Sequence, residues 1–232
     1  MAEEKKKSGI DTTNDLAMAE ISRQRHVTAQ GNPANPTGDA GFEMLKRMNE
    51  SHYKMTGWGL SFLALNPDAQ LLDIGCGGGM TLHRLSDGIK TGHLTGVDYS
   101  SVSVEASKKL NEADLVSGKM SIDEASVEAL PYEDNSFDVI TTVESFYFWP
   151  NPQESLKEVY RVLKPEGQFL LISEVYNHEG LTEEQRANIA AYKMNNPTMD
   201  EFEKLFAAAG FEKTVIHIHS KEGWIAIEGK KD

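Results

Sequence analysis

An apolar run, Leu71-Leu72-Asp73-Ile74, enters the turn Gly75-Cys76-Gly77-Gly78-Gly79, and a second apolar run, Leu94 to Val97, ends in Asp98. Strands of a parallel sheet are covered on both faces and read as such runs. A glycine-rich turn after the first strand lets the backbone approach a ligand, and a carboxylate at the tip of the next strand suits ribose hydroxyls. Gly75 and Asp98 lie 23 positions apart, near the separation of about 20 that this geometry uses. The pattern predicts a Rossmann-like sheet presenting a nucleoside-type ligand. A dinucleotide fingerprint starting at Gly75 would require a third glycine at position 80, where the chain has Met80. Without it, helix and strand lose their usual close packing around a pyrophosphate.

From residue 69 onward strand and helix alternate. Strands are expected over 70–74, 93–98, near 120–122, and over 139–145 and 169–175. One helix follows the glycine turn through Leu82 and Leu85, and a second, capped by Ser100, carries Val104, Ala106 and Leu110. A third covers 152–163, and a fourth runs over 199–208 from Thr198 to Gly210. Strands over 214–220 and 224–230 are separated by only Lys221–Gly223, a hairpin spacing. The expected fold is α/β: a Rossmann-like three-layer sandwich, with a seven-stranded, mostly parallel sheet and a C-terminal antiparallel hairpin.

Two units follow from this: a tail and helical lid over 1–66, and a ligand-binding domain over 67–232 with a small polar insertion at 177–197. In the first, the initial dozen residues are expected to be disordered and 14–30 to form a helix around Leu16, Ile21 and Val27. Asp39 is expected to cap a helix running to about residue 55, broken by Gly57-Trp58-Gly59.

Charge and cysteine usage narrow the partners. Twenty-three basic and 36 acidic side chains give a net charge of −13, and so acidic a surface repels phosphate backbones and anionic membranes. The basic runs Lys5–Lys7 and Lys230–Lys231 sit at the chain ends. No nucleic acid and no membrane insertion are expected, since no apolar run reaches the ~20 residues of a membrane span. A single cysteine, Cys76, forbids an intrachain disulfide and multi-cysteine metal sites. With no apolar leader near the N-terminus, a cytoplasmic location is expected. Whether the chain is a monomer or a homodimer stays open.

The run DIGCGGG resembles motif I of class I S-adenosylmethionine-dependent methyltransferases. Three further segments follow in the family's order: EALPYEDNSFDVI, SLKEVYRVLKPEGQFLLIS and TMDEFEKLFAAAGFEKTVI. Together they cover about 68–230, and they are most similar to the small-molecule branch that includes ubiquinone and menaquinone methyltransferases. The resemblance implies S-adenosylmethionine as cofactor, with Asp73, Gly75 and Gly77 along its methionine part and Asp98 on its ribose. It also implies Tyr99 against the adenine face and Ser126-Val127 near the adenine amine, where the family often has an Asp-Ala pair.

The tip of the fourth strand, Glu144-Ser145-Phe146-Tyr147-Phe148-Trp149-Pro150, should border the methyl acceptor, because ligands of such sheets sit beyond the strand carboxyl ends. Glu144 and Tyr147 are candidate acceptor-orienting or proton-accepting groups; Phe146 and Trp149 either wall the pocket or pack into the core, with about half of these aromatics expected in the core. Phe42, Leu45, Asn49 and His52 share one helix face. His52 is a candidate base, since its ordinary pKa suits proton removal near neutrality; a packed, hydrogen-bonded histidine is the plainer alternative. Tyr53, Trp58 and His178 complete the expected acceptor pocket, and Glu174 is also within reach of it. His217 and His219 lack a third ligand at matching spacing, so an exposed strand face is expected and no metal.

These residues predict transfer of a methyl group to a small-molecule acceptor. The alternatives are a catalytically silent S-adenosylmethionine-binding protein and a nicotinamide-dependent oxidoreductase, which Met80 and the last third of the chain disfavour. The identity of the acceptor atom stays open.

Overall fold

The computed structural model describes residues 28–232. The expected disordered tail and most of the expected helix over 14–30 lie outside the described residues; 28–31 form a helical turn. Seven strands form one sheet: β1 Gln70–Ile74, β2 His93–Asp98, β3 Met120–Glu124, β4 Phe137–Val143, β5 Leu163–Ser173, β6 Lys213–Ile218 and β7 Ile225–Lys230. Their spatial order is β3-β2-β1-β4-β5-β7-β6. β3 to β5 pair in parallel, and β7 pairs antiparallel with both β5 and β6. This is the expected seven-stranded Rossmann-like sheet with its terminal hairpin.

Alternation along the strands builds two faces. Leu72, Ile140, Phe169 and Leu171 join Leu156, Val159, Phe202 and Phe206 in one core, supplied by helices α6 Pro152–Val162 and α8 Met199–Ala209. Leu71, Leu94 and Val139 point the other way, onto Leu82, Leu85 and Val104 of α3 Met80–Ser86 and α4 Ser101–Leu110. Between α4 and β3 lies the short α5 Glu112–Val116, and α7 Glu183–Tyr192 occupies the 177–197 insertion. Truncating a fully buried phenylalanine such as Phe206 to alanine costs about 3–5 kcal/mol. Both expected caps form: Ser100 Oγ accepts from Ser103 N at 3.3 Å, and Thr198 Oγ1 accepts from Glu201 N while Glu201 Oε2 accepts from Thr198 N.

Two family-like segments turn out to be a clamp. Arg161 on α6 donates to Glu158, to Asp134 and to the carbonyls of Leu130 and Tyr132. Glu158 in turn accepts from Leu130 N at 2.9 Å. The pair fixes the Leu130-Pro131-Tyr132 turn that leads into β4.

The helices before the sheet depart from expectation. Thr37, not Asp39, is the N-cap of α1, Gly38–Ser51, and Asp39 lies in its first turn. The chain breaks at His52 instead of at Gly57-Trp58-Gly59, which lie inside α2, Tyr53–Leu60. Those glycines serve close packing: a Cβ on Gly59 would stand 2.4 Å from Ile172 Cδ1, and one on Gly57 2.4 Å from the Arg84 guanidinium. β4 begins and ends two residues earlier than expected, and β5 starts at Leu163, so Lys164-Pro165 lies within the strand. Among the described residues no helix is long and apolar enough to cross a membrane.

Candidate functional site

The strand order reverses between β1 and β4, and the carboxyl ends of β1, β2 and β4 open onto a cavity of about 320 Å³. Such switch points are where open α/β sheets hold ligands, and the volume suits a small molecule. α1 and the segment before it form the opposite wall through Pro36, Leu45, Met48, Asn49 and His52. Two hydrogen bonds fasten this wall down: Ser100 Oγ donates to Pro36 O at 2.7 Å, and Asn49 Nδ2 to Gly78 O at 3.1 Å.

One end of the cavity is made by the glycine turn and β2. Gly75 (φ 68°) and Gly77 (φ 50°) take left-handed conformations, which cost other residues roughly 1–2 kcal/mol. A Cβ on Gly75 would fall 2.0 Å from Ser145 Oγ, whereas one on Gly77 would meet nothing closer than 3.6 Å and would occupy cavity space. Asp98 is 8 % exposed. Its Oδ2 accepts from Gly77 N at 3.0 Å and its Oδ1 from Ser100 N at 2.9 Å. Burial raises its pKa against the pull of these N–H donors. Two oxygens offer about four acceptor positions, so each can still take one hydroxyl donor, as a ribose diol would supply. Tyr99, Ser126 and Val127 line the same end, with Tyr99 half exposed at its rim.

Asp73 was expected along the methionine part of the cofactor. It is 1 % exposed behind the turn, accepts from Thr141 Oγ1 at 2.7 Å, and is not among the cavity-lining residues. Burial raises its pKa to about 7. Cys76 is a buried thiol, its pKa pushed well up by burial and by nearby Asp98 and Asp73.

The other end gathers groups from three distant segments. Glu144, just past β4, has φ 52°, a conformation that side chains rarely adopt. Its backbone N–H donates to Ile172 O; its Oε1 accepts from Glu174 N at 2.6 Å and its Oε2 from Tyr147 Oη at 2.8 Å. Glu174, just past β5, and His52, at the break between α1 and α2, bring one ligand atom each to within 4.8 Å of one another and of Glu144. Burial raises Glu144 to about 7, opposed by the Glu174 N–H and the Tyr147 hydroxyl. Burial and then repulsion from Glu144 raise Glu174 to about 7. Burial lowers the His52 pKa against the attraction of Glu174, with Arg47 also lowering it, so the imidazole is neutral at pH 7.

Several expected acceptor residues lie elsewhere. Tyr147 is buried behind Glu144 as its donor, so it touches the cluster rather than the cavity. Phe146 is 2 % exposed and packs on Phe202. Trp149 both lines the cavity and joins the core, its Nε1 donating to Ser145 Oγ. Trp58 faces Phe62, His219 and Trp224 over the hairpin. Tyr53 is half exposed under the Arg84 guanidinium, and His178 stacks on Tyr176 away from the cavity. His217 and His219 are half-buried rather than exposed: His217 stacks on Phe62 and pairs with Glu228. Sequence reasoning missed Asn49 as the tether and Phe148 as a wall residue. Asn49 shared a helix face with His52, which was the available signal.

A family model described as a methyltransferase domain matches residues 72–171. The chain is 33 % identical over 112 residues to cycloartenol-C-24-methyltransferase 1 of Oryza sativa subsp. japonica, covering 48 % of this chain and 32 % of that protein. It is 34 % identical over 113 residues to the ubiquinone/menaquinone biosynthesis C-methyltransferase UbiE of Ruegeria sp. (strain TM1040), covering 49 % and 45 %. The chain thus spans less than half the length of these two curated relatives. A solved S-adenosylmethionine-dependent methyltransferase of Aquifex aeolicus shares the fold, with TM-score 0.66 at 16 % identity, over 82 % of this chain and 98 % of that one.

Proposed function

We propose that this member of the class I S-adenosylmethionine-dependent methyltransferases transfers the methyl group of that cofactor to a small-molecule acceptor in the cavity beyond the strand ends. The observation that carries the reading is Asp98. It is a buried carboxylate at the tip of β2, steadied by two backbone N–H groups, with acceptor capacity left toward a cavity whose floor is the glycine turn. The two relatives carry names that share a methyl group and differ in acceptor, so the acceptor has to be read from this chain's own residues.

When bound, S-adenosylmethionine supplies a methyl group already activated by its sulfonium. The protein's part is then alignment and exclusion of water. Asp98 holds the ribose hydroxyls, Gly75 and Gly77 allow close backbone approach, and Tyr99, Ser126 and Val127 flank the base. α1 closes the far wall, with Asn49 tying it to the glycine turn and His52 reaching the acceptor end. We treat 28–66 as this lid and 67–232 as the domain beneath it.

Calorimetric titration with S-adenosylmethionine and S-adenosylhomocysteine tests the reading. Micromolar binding by the native chain that Asp98→Ala abolishes is the expected result. Absence of binding to either ligand overturns it. Binding without transfer to any acceptor favours the silent binding protein.

A further inference from the structure

We propose that the methyl acceptor is an aliphatic amine, bound as its ammonium by Glu144, Glu174 and His52 at the acceptor end of the cavity. This rests on the methyltransferase reading and names its substrate class.

The three side chains converge from residues far apart in sequence, and Glu144 and His52 line the cavity itself. A buried carboxylate, Glu144, and a half-buried one, Glu174, face each other without a cation: among the described residues no lysine or arginine forms an ion pair with either. The His52 ring likewise makes no hydrogen bond among the described residues, although the cluster surrounds it. Like-charged buried groups repel, and a cation between them removes the repulsion.

The spacing admits an ammonium. The ligand atoms lie within 4.8 Å of one another. An ammonium donating at about 2.9 Å in tetrahedral directions sets its acceptors roughly 4.7 Å apart. Phe148 and Trp149 on the same cavity wall offer aromatic faces for the carbon skeleton or the charge.

The backbone holds the arrangement in place. Glu144 keeps its left-handed conformation (φ 52°) through its N–H bond to Ile172 O, and strain of this kind concentrates at functional sites. Both Glu144 oxygens already accept one hydrogen bond, so Glu144 is the fixed anion. The Glu174 carboxylate makes no hydrogen bond among the described residues, which leaves it free to take a proton.

An ammonium has no lone pair and must lose a proton before it can be methylated. Glu174 accepts that proton. The nitrogen lone pair then forms the N–C bond while the donor's C–S bond breaks and its electron pair stays on sulfur. Positive charge passes from sulfur to the methylated nitrogen. The groups that set the pH response of Glu174 are Glu144 past β4, Tyr147 behind it, and His52 at the α1–α2 break, itself influenced by Arg47 of α1.

The test is calorimetry on the protein loaded with S-adenosylhomocysteine, which cannot donate a methyl group. The probes are n-butylamine and phenethylamine, each matched with its alcohol, titrated at pH 7 in two buffers of different ionisation enthalpy. The amines are expected to bind at least tenfold more tightly than the alcohols and to release protons, as the cation draws both carboxylates into their charged form. Glu174→Gln, nearly isosteric, should cost the amines at least tenfold and reduce proton release to the share of Glu144. Label from S-adenosylmethionine should then appear on the amines and not on the alcohols. Alcohols that bind or react as well as amines overturn the proposal, as does indifference of the amines to E174Q. Tight competition by zinc or manganese alone would make the cluster a metal site and overturn it too. Failure of the native chain to bind S-adenosylhomocysteine would overturn the methyltransferase reading itself; binding of that ligand without amine preference overturns only the substrate class.

Discussion

Both ends of the cavity are organised around buried carboxylates, and they are held in different ways. Asp98 is gripped by backbone N–H groups of Gly77 and Ser100, from the glycine turn and from its own strand end. Glu144 is gripped by the Tyr147 hydroxyl and the Glu174 N–H, and it faces a second carboxylate and a neutral imidazole from other segments. The grip on Asp98 is all main chain, which cannot change identity by substitution. The grip on Glu144 is half side chain, and the groups facing it are side chains, which can. A cofactor shared by many enzymes suits the former, and an acceptor peculiar to one enzyme suits the latter.

The largest test of this contrast is Asp98→Ala, which should weaken S-adenosylhomocysteine binding by 100-fold or more in calorimetry, since hydrogen bonds to a charged group contribute about 1.5–3 kcal/mol each. Gly75→Ala should come next. Its Cβ would strike Ser145 and its φ is left-handed, so a loss of roughly 2–3 kcal/mol is expected in denaturant unfolding. Adding Ser145→Gly should recover part of that loss, and a strictly additive double-mutant cycle would break the assignment of the clash. Asn49→Ala removes the tether to Gly78 O and should weaken S-adenosylhomocysteine binding about fivefold, near the 1 kcal/mol of an ordinary hydrogen bond.

The smallest effect sharpens the acceptor end. Glu144 and Glu174 are both raised to about 7 in the folded chain, so folding takes up protons between about pH 4.5 and 7. Their contribution to stability is therefore intact below about pH 4.5 and is lost as pH rises through 7. Glu174→Gln should melt a few degrees above the native chain at pH 8 without ligand and converge with it near pH 5. Parallel Tm curves across that range would break the claim that the pair is strained.

The glycine turn was legible because its partners are neighbours in the chain: residues 73–98 contain both the loop and the carboxylate it meets. The β/α alternation was legible for the same reason, since each strand's apolar run and each helix's cap are local. Gly57 and Gly59 misled because their cause is not local; one gives way to Arg84 and the other to Ile172. Trp58 and Phe146 meet packing partners far along the chain, Trp224 and Phe202, which no local pattern announces. The acceptor cluster joins positions 52, 144 and 174, and no periodicity links them. Its pieces were visible as strand tips and a helix face, but their meeting was not.

The helix α1 carries Asn49 on the glycine turn and leads directly into His52 at the acceptor cluster. α1 therefore borders both compartments, and on the proposed function a displacement that breaks the Asn49 tether also shifts the segment carrying His52, coupling cofactor exchange to access at the acceptor end.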